Sequence, residues 1–225
     1  RNYPLNCESA EQIVRQIADV EIDDKISFVI KKTEEIMEDS EYQGVRLSLD
    51  AYLDKTRIPL KIDISTGDVI TPCEISFSYQ LMFENRTIPL LAYPPETVLA
   101  EKLETILSRG EANTRLRDFY DVYILQREDF VVTPDALCHA LLATCRKRGH
   151  EDLLHTYASI LDRVRQSDTM RTQWMKYQSD FDYAAGITWD TVLDTVETLC
   201  MKTLDDHAFG DELPQEESQF EMHLL

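Results

Sequence analysis

The chain has 225 residues, 43% of them hydrophobic, and a formal net charge of −19, which fits a soluble globular protein with one large or two small cores and gives no overall disorder signal. That charge argues against a non-specific nucleic-acid coat protein, although a local cluster of Lys and Arg can still meet phosphates. No apolar run approaches the ~20 residues of a membrane span and no secretory apolar region opens the chain, so no membrane partner is expected and a cytoplasmic setting is the default.

In chain order, Ser9 to Val20 reads as a helix, with Ser9 and Gln12 resembling a capping box and Ile13, Val14, Ile17 and Ala18 forming one stripe. From Lys25 to about Tyr93 the texture is strand-like: KISFVI, VRLSLDAY, RIPLKIDIS, EISFSYQL and TIPLLAY are separated by short polar or Gly/Pro connections. These segments are expected to form one antiparallel-rich sheet. In RIPLKIDIST, alternation predicts Ile58, Leu60, Ile62 and Ile64 on a buried face and Pro59, Lys61 and Asp63 on the other. Aspartate is a poor strand former, and its plain reading here is a solvated outer face.

After Pro94 and Pro95 the texture turns helical. Helices are predicted over Pro95 to Ser108, Thr114 to Gln126, Pro134 to Arg148 capped by Thr133, Asp152 to Gln166, Thr169 to Tyr183, and Trp189 to Leu204 capped by Thr188. The expected class is α+β: residues 1–93 hold a helix and a mostly antiparallel or mixed sheet, residues 94–204 are all helical, and 205–225 form an acidic, loosely held tail.

The five cysteines, Cys7, Cys73, Cys138, Cys145 and Cys200, are scattered without a CxxC and read as small buried hydrophobes of a reducing compartment. His139, His150 and His155 make no HxxxH or HExxH, so a zinc enzyme is not expected.

The informative residues are polar ones in apolar stripes. In PETVLAEKLETIL, Val98, Leu99, Leu103, Ile106 and Leu107 define the buried stripe, and Lys102 falls inside it. Such a lysine either snorkels to water or meets an anion, a carboxylate or a bound phosphate. In TRLRDFYDVYIL, Leu116, Phe119, Tyr120, Tyr123 and Ile124 are backed by Val122 and Leu125, which predicts packing on more than one side. Asp118 and Asp121 lie three residues apart, bracketed by Arg115 and Arg117. Surface charge pairing is the plain reading of that cluster. Taken together with the strand carboxylate, these residues suit a phosphate-handling site: Asp63 for a divalent cation, Lys102 and Arg117 for phosphate charge, Asp118 to orient them or act as a base.

The segments LKIDIS, YPPETVLAEKLETIL and RGEANTRLRDFYDVYIL, in that order, resemble the AbiEii/AbiGii toxin family of nucleotidyltransferases of bacterial type IV toxin–antitoxin and phage-defence systems, mainly over Arg57 to Leu125. The resemblance implies a partial DNA polymerase β-like nucleotidyltransferase sheet, Mg²⁺, and transfer of nucleotides from an NTP to an acceptor, RNA such as tRNA by family analogy. It implies that Asp63 is the third metal carboxylate, that Lys102 is the helical lysine, and that Asp118 with Asp121 is the aspartate motif. Lys102, Arg115 and Arg117 would then bind nucleotide. The family's Gly-Ser turn and aspartate pair are expected before Asp63, yet the first glycine is Gly44 and the chain starts at Arg1. The expectation is therefore a fragment that is inactive alone. DFD, Asp180 to Asp182, has metal-pair spacing but lies in a helical region far past the sheet.

Two other readings stand beside this one. In the first, the chain is a non-catalytic module that docks an antitoxin or another basic partner, with Lys102 and Asp118 as a structural ion pair. In the second, it is a different phosphotransferase, disfavoured by the lack of a Gly-rich phosphate loop, HRD or DFG.

Overall fold

A computed structural model describes residues 5–22, 24–36, 44–127 and 132–205. The chain divides into two compact units, Arg1–Asp68 and Val69–Leu225. The architecture is α+β, with antiparallel strands first and helices after them, as the textures predicted.

The first unit opens with helix α1 (Cys7–Ala18). Its capping box is one turn earlier than the Ser9/Gln12 pair expected: Asn6 is the N-cap and accepts the Ser9 N–H at 2.8 Å, while Ser9 Oγ accepts the Asn6 N–H at 3.1 Å. Strands β1 (Ile26–Ile36), β2 (Gly44–Leu53) and β3 (Thr56–Ser65) form an antiparallel sheet in the order β1-β2-β3. Asp54 and Lys55 connect β2 to β3, and Asp54 takes φ +52°, a left-handed conformation that aspartate tolerates in turns.

Ala10 and Val14 of α1 pack on Val45, Leu47 and Leu49, with Leu5, Cys7, Ile30 and Ile64 against that cluster. Two expectations change here. Ile17 is 66% exposed instead of buried, and of the predicted β3 face only Ile64 is half-buried, while Ile58, Leu60 and Ile62 are exposed. The alternation itself holds. Register pairs Val45 with Ile64, Leu47 with Ile62 and Leu49 with Leu60, so these residues share one face. The cause of the exposure is coverage: α1, roughly 18 Å long, packs on β1 and β2 and is too short to blanket the sheet.

In the second unit, β4 (Ile75–Gln80) and β5 (Thr87–Ala92) pair, among the described residues, only with each other. The strands thus form two sheets instead of the single one expected. Helices α2 (Pro95–Arg109), α3 (Leu116–Leu125), α4 (Pro134–Lys147), α5 (Leu153–Gln166), α6 (Asp168–Asp180) and α7 (Trp189–Leu204) follow. Thr133 and Thr188 cap α4 and α7 as predicted, their side chains accepting from Ala136 and Thr191. Helix α6 ends at Asp180, short of Tyr183, because Phe181 is extended (φ −137°, ψ 103°) and a 3₁₀ turn, Asp182–Ala184, replaces its last turn.

The core of this unit is large. Leu99, Leu103, Phe119, Leu141, Trp174 and Val196 are at most 1% exposed, and Phe119 meets Trp189 with ring centroids 5.1 Å apart. Two contacts set the ends of α2. The Thr97 hydroxyl bonds both the N–H (2.9 Å) and the carbonyl (3.0 Å) of Thr71 at its start. At its end Gly110 turns the chain with φ +49°, a conformation that favours glycine. Among the described residues no helix is long and apolar enough to cross a membrane. The expected acidic tail, apart from Asp205, lies outside the described residues.

Candidate active site

Lys102 lies on α2 between the buried Leu99 and Ile106, with its side chain 20% exposed. Its ammonium therefore needs a local anion, and α3 supplies two. Lys102 Nζ is 3.1 Å from Asp118 Oδ1 and 2.6 Å from Asp121 Oδ2. The aspartates can share one lysine because three residues on a helix bring side chains to the same side.

The start of α3 is fixed by Asn113, which is fully buried and accepts the Arg115 N–H through Oδ1 at 2.8 Å. This Asx-type turn launches the helix. Asp118 then falls in the first turn, where the helix dipole favours a carboxylate. Arg115 Nε stands 3.0 Å from Asp118 Oδ2, an ion pair lacking hydrogen-bond alignment, and Arg117 Nε stands 3.7 Å from Asp121. Asp118 is 3% exposed, while Arg115 and Arg117 reach into solvent. Three cations thus face two carboxylates, leaving a local surplus of positive charge in a strongly acidic chain.

These five residues line a cavity of about 690 Å³ whose opposite wall belongs to α6 and includes Gln173, Lys176, Tyr177, Asp180 and Phe181. That volume is in the range of small-ligand sites. Burial, and then a 3.0 Å hydrogen bond to the Tyr183 hydroxyl, push the Tyr177 phenol up, so it stays neutral.

Asp63 belongs to the first unit. Its two oxygens accept from Arg46 Nε and Nη2, both at 2.7 Å, across the β2–β3 pair in which the two residues are direct partners. The Arg46 hydrogen bonds hold its carboxyl below the usual range. Another strand carboxylate, Asp50, is 5% exposed and stands 3.7 Å from Arg57 and 3.9 Å from Lys31.

Residues 7–195 match the family model of the nucleotidyl transferase AbiEii toxin, type IV toxin–antitoxin system. The chain belongs to the AbiEii family. No curated protein and no solved structure matches it.

The AbiEii family supplies the class, a nucleotidyltransferase toxin of a type IV toxin–antitoxin system. The residues described do not by themselves make a magnesium cage. Both Asp63 oxygens are engaged by Arg46, and no group of three or more His, Cys, Asp and Glu suits a metal ion among the described residues.

Of the six residues singled out in the sequence, Lys102, Arg115, Arg117, Asp118 and Asp121 line one cavity, and Asp63 pairs with Arg46 in the other unit. Sequence reasoning missed the α6 wall. A signal was present: Gln173, Lys176, Tyr177 and Asp180 follow the i, i+3, i+4, i+7 spacing of one helical face, but polar residues on such a face also describe ordinary solvent exposure. DFD was set aside for its distance from the sheet, yet Asp180 and Phe181 stand on the cavity with Lys102. Asn113 stands in the segment RGEANTRLRDFYDVYIL that carries the family resemblance, but its role as the buried acceptor of the Arg115 N–H is not among the sequence expectations. Among the cysteines, Cys138, Cys145 and Cys200 are buried, but Cys73 is exposed and Cys7 half-buried, against the expectation for all five.

Proposed function

We propose that this cavity binds the phosphates of an NTP for transfer of a nucleoside monophosphate to an acceptor hydroxyl, with RNA such as tRNA as the acceptor. The observation that carries the reading is Lys102 held between Asp118 and Asp121, with Arg115 and Arg117 beside them, on a cavity of ligand size in a member of a nucleotidyltransferase family.

Lys102 and the two arginines take charge that builds on the phosphates, and the two carboxylates keep the ammonium in place before substrate arrives. The acceptor oxygen attacks the α-phosphorus and a new O–P bond forms as the α–β anhydride breaks. Pyrophosphate leaves with the bonding pair. Asp121, the more open of the two carboxylates, accepts the hydroxyl proton, and the buried Asp118 orients Lys102. Magnesium would supply charge neutralisation at the triphosphate, but the described residues do not by themselves hold it.

The test follows label from the α- and the γ-phosphate with the full-length protein. The α-label is expected in the product, and Lys102→Ala and Asp118→Ala are each expected to reduce transfer by about 100-fold or more with unchanged circular dichroism. Near-normal transfer in both variants removes the site, and transfer of the γ-label makes the enzyme a kinase. A second reading is favoured by the internal pairing of Lys102, which satisfies its charge without any ligand: a module that docks an antitoxin. In that case nucleotide with Mg²⁺ leaves the melting temperature unmoved, whereas a binder gains about 2.7 kcal/mol at a hundredfold excess over its Kd.

A further inference from the structure

The α6 wall has features that phosphate binding alone does not use. Gln173, Lys176, Tyr177 and Asp180 turn one helical face to the cavity, and Phe181, in extended conformation after the helix, continues that wall. Phe181 is 41% exposed although it is a large apolar ring next to a cluster of charges. It is also braced from within the fold: its centroid is 4.7 Å from that of Tyr177 and 5.3 Å from that of Tyr183, nearly parallel to the latter at 29°. Tyr183 in turn packs on Tyr120 of α3 at 4.8 Å and bonds the Tyr177 hydroxyl. Two tyrosines thus fix the ring while part of its surface stays open.

Two polar groups line the same cavity as this ring. Gln173 Oε1 is buried without a hydrogen-bond donor among the described residues, an arrangement that proteins rarely leave uncompensated. Lys176 forms no ion pair among the described residues and brings the cavity to four cations against three carboxylates. A positively biased cavity with a braced, half-open aromatic ring and an orphaned side-chain amide suits a ligand that joins phosphates to a flat heterocycle with donor groups on its edge.

We propose that the α6 wall is the nucleoside subsite: the base of the NTP stacks on Phe181, the Gln173 amide turns to meet its edge, and Lys176 faces the phosphates opposite Lys102. This rests on the nucleotidyltransferase reading of the α2–α3 side and adds where the other end of the substrate lies. The geometry favours the NTP over an acceptor RNA because ring and cations share one cavity.

The experiment compares two probes on the full-length protein, the four NTPs and inorganic tripolyphosphate, which has the phosphates but no nucleoside. Phe181→Leu keeps apolar volume without the π-face and is expected to weaken NTP binding about 10- to 100-fold while leaving tripolyphosphate binding unchanged. Phe181→Tyr is expected to restore NTP binding. Gln173→Leu is expected to change the ranking of the four NTPs and to leave tripolyphosphate alone. Lys102→Ala is expected to weaken both probes. Equal effects of Phe181→Leu on both probes, no effect on either, or an effect confined to the KM of the acceptor overturns the subsite. If Lys102→Ala leaves tripolyphosphate binding intact while Phe181→Leu still discriminates, the phosphate assignment falls and the base subsite stands. If wild-type protein binds neither probe, both fall.

Discussion

Asp118 receives the Lys102 ammonium on one oxygen at 3.1 Å and faces Arg115 Nε with the other at 3.0 Å, at 3% exposure. A carboxylate removed from water this completely is stable only while its cations remain, because an ionised group loses its hydration on burial. The relationship between Lys102 and Asp118 is therefore both the centre of the candidate site and a structural dependency of α2 on α3.

Removing one member of the pair exposes that dependency. Lys102→Met leaves Asp118 with the poorly aligned Arg115 and is expected to destabilise the fold by about 1–3 kcal/mol. The double variant Lys102→Met/Asp118→Leu is expected to cost less than the sum of the two single changes. Urea denaturation of the four proteins measures the coupling, and strict additivity would show that the pair is not coupled.

Acidification probes the strand carboxylate. Arg46 lowers the folded-state pKa of Asp63 below its unfolded value, so the pair contributes stability above the unfolded carboxylate pKa of ~4, and that contribution is lost as pH falls through the folded value. Wild type is expected to lose more melting temperature than Arg46→Gln between pH 5 and pH 3. Both side chains are more than a third exposed, so the difference is small and shrinks in high salt. Parallel curves for the two proteins would remove the pair from the pH response.

Thiol reactivity follows burial. Burial pushes the Cys145 and Cys200 thiols up to about 12, with nearby carboxylates adding to it, so at pH 8 both are neutral and poor nucleophiles. Iodoacetamide is expected to modify Cys73 first and Cys7 next, and to reach Cys138, Cys145 and Cys200 only on unfolding. Peptide mass mapping against time reads the order, and early modification of Cys145 or Cys200 would contradict the buried placement.

The helical unit is expected to fail at its centre before its edges. Phe119→Ala, at a fully buried ring in contact with Trp189, is expected to cost about 3–5 kcal/mol. Thr188→Ala removes the acceptor of the Thr191 N–H at the start of α7 and is expected to cost about 1 kcal/mol. Thermal melts rank the two, and a milder Phe119→Ala would contradict the packing described.

Local pattern and local chemistry fixed much of this protein before any tertiary contact was known. Period-2 and period-3.6 spacing placed the strands and helices, the Thr133 and Thr188 caps placed two helix starts, and Lys102 in an apolar stripe announced a buried charge in need of an anion. These features are legible because each depends on residues a few positions apart, where helix and strand geometry alone decides which side chains are neighbours.

What the chain could not reveal by itself was coverage and convergence. Alternation told which β3 residues share a face, but only the length and placement of α1 decided that Ile58, Leu60 and Ile62 stay exposed. Likewise, Asp180 and Phe181 stand across a cavity from Lys102 because α6 packs against α3, a contact between residues some sixty positions apart that no local period encodes. Spacing along a helix names a face, and only packing of one helix on another says what that face meets.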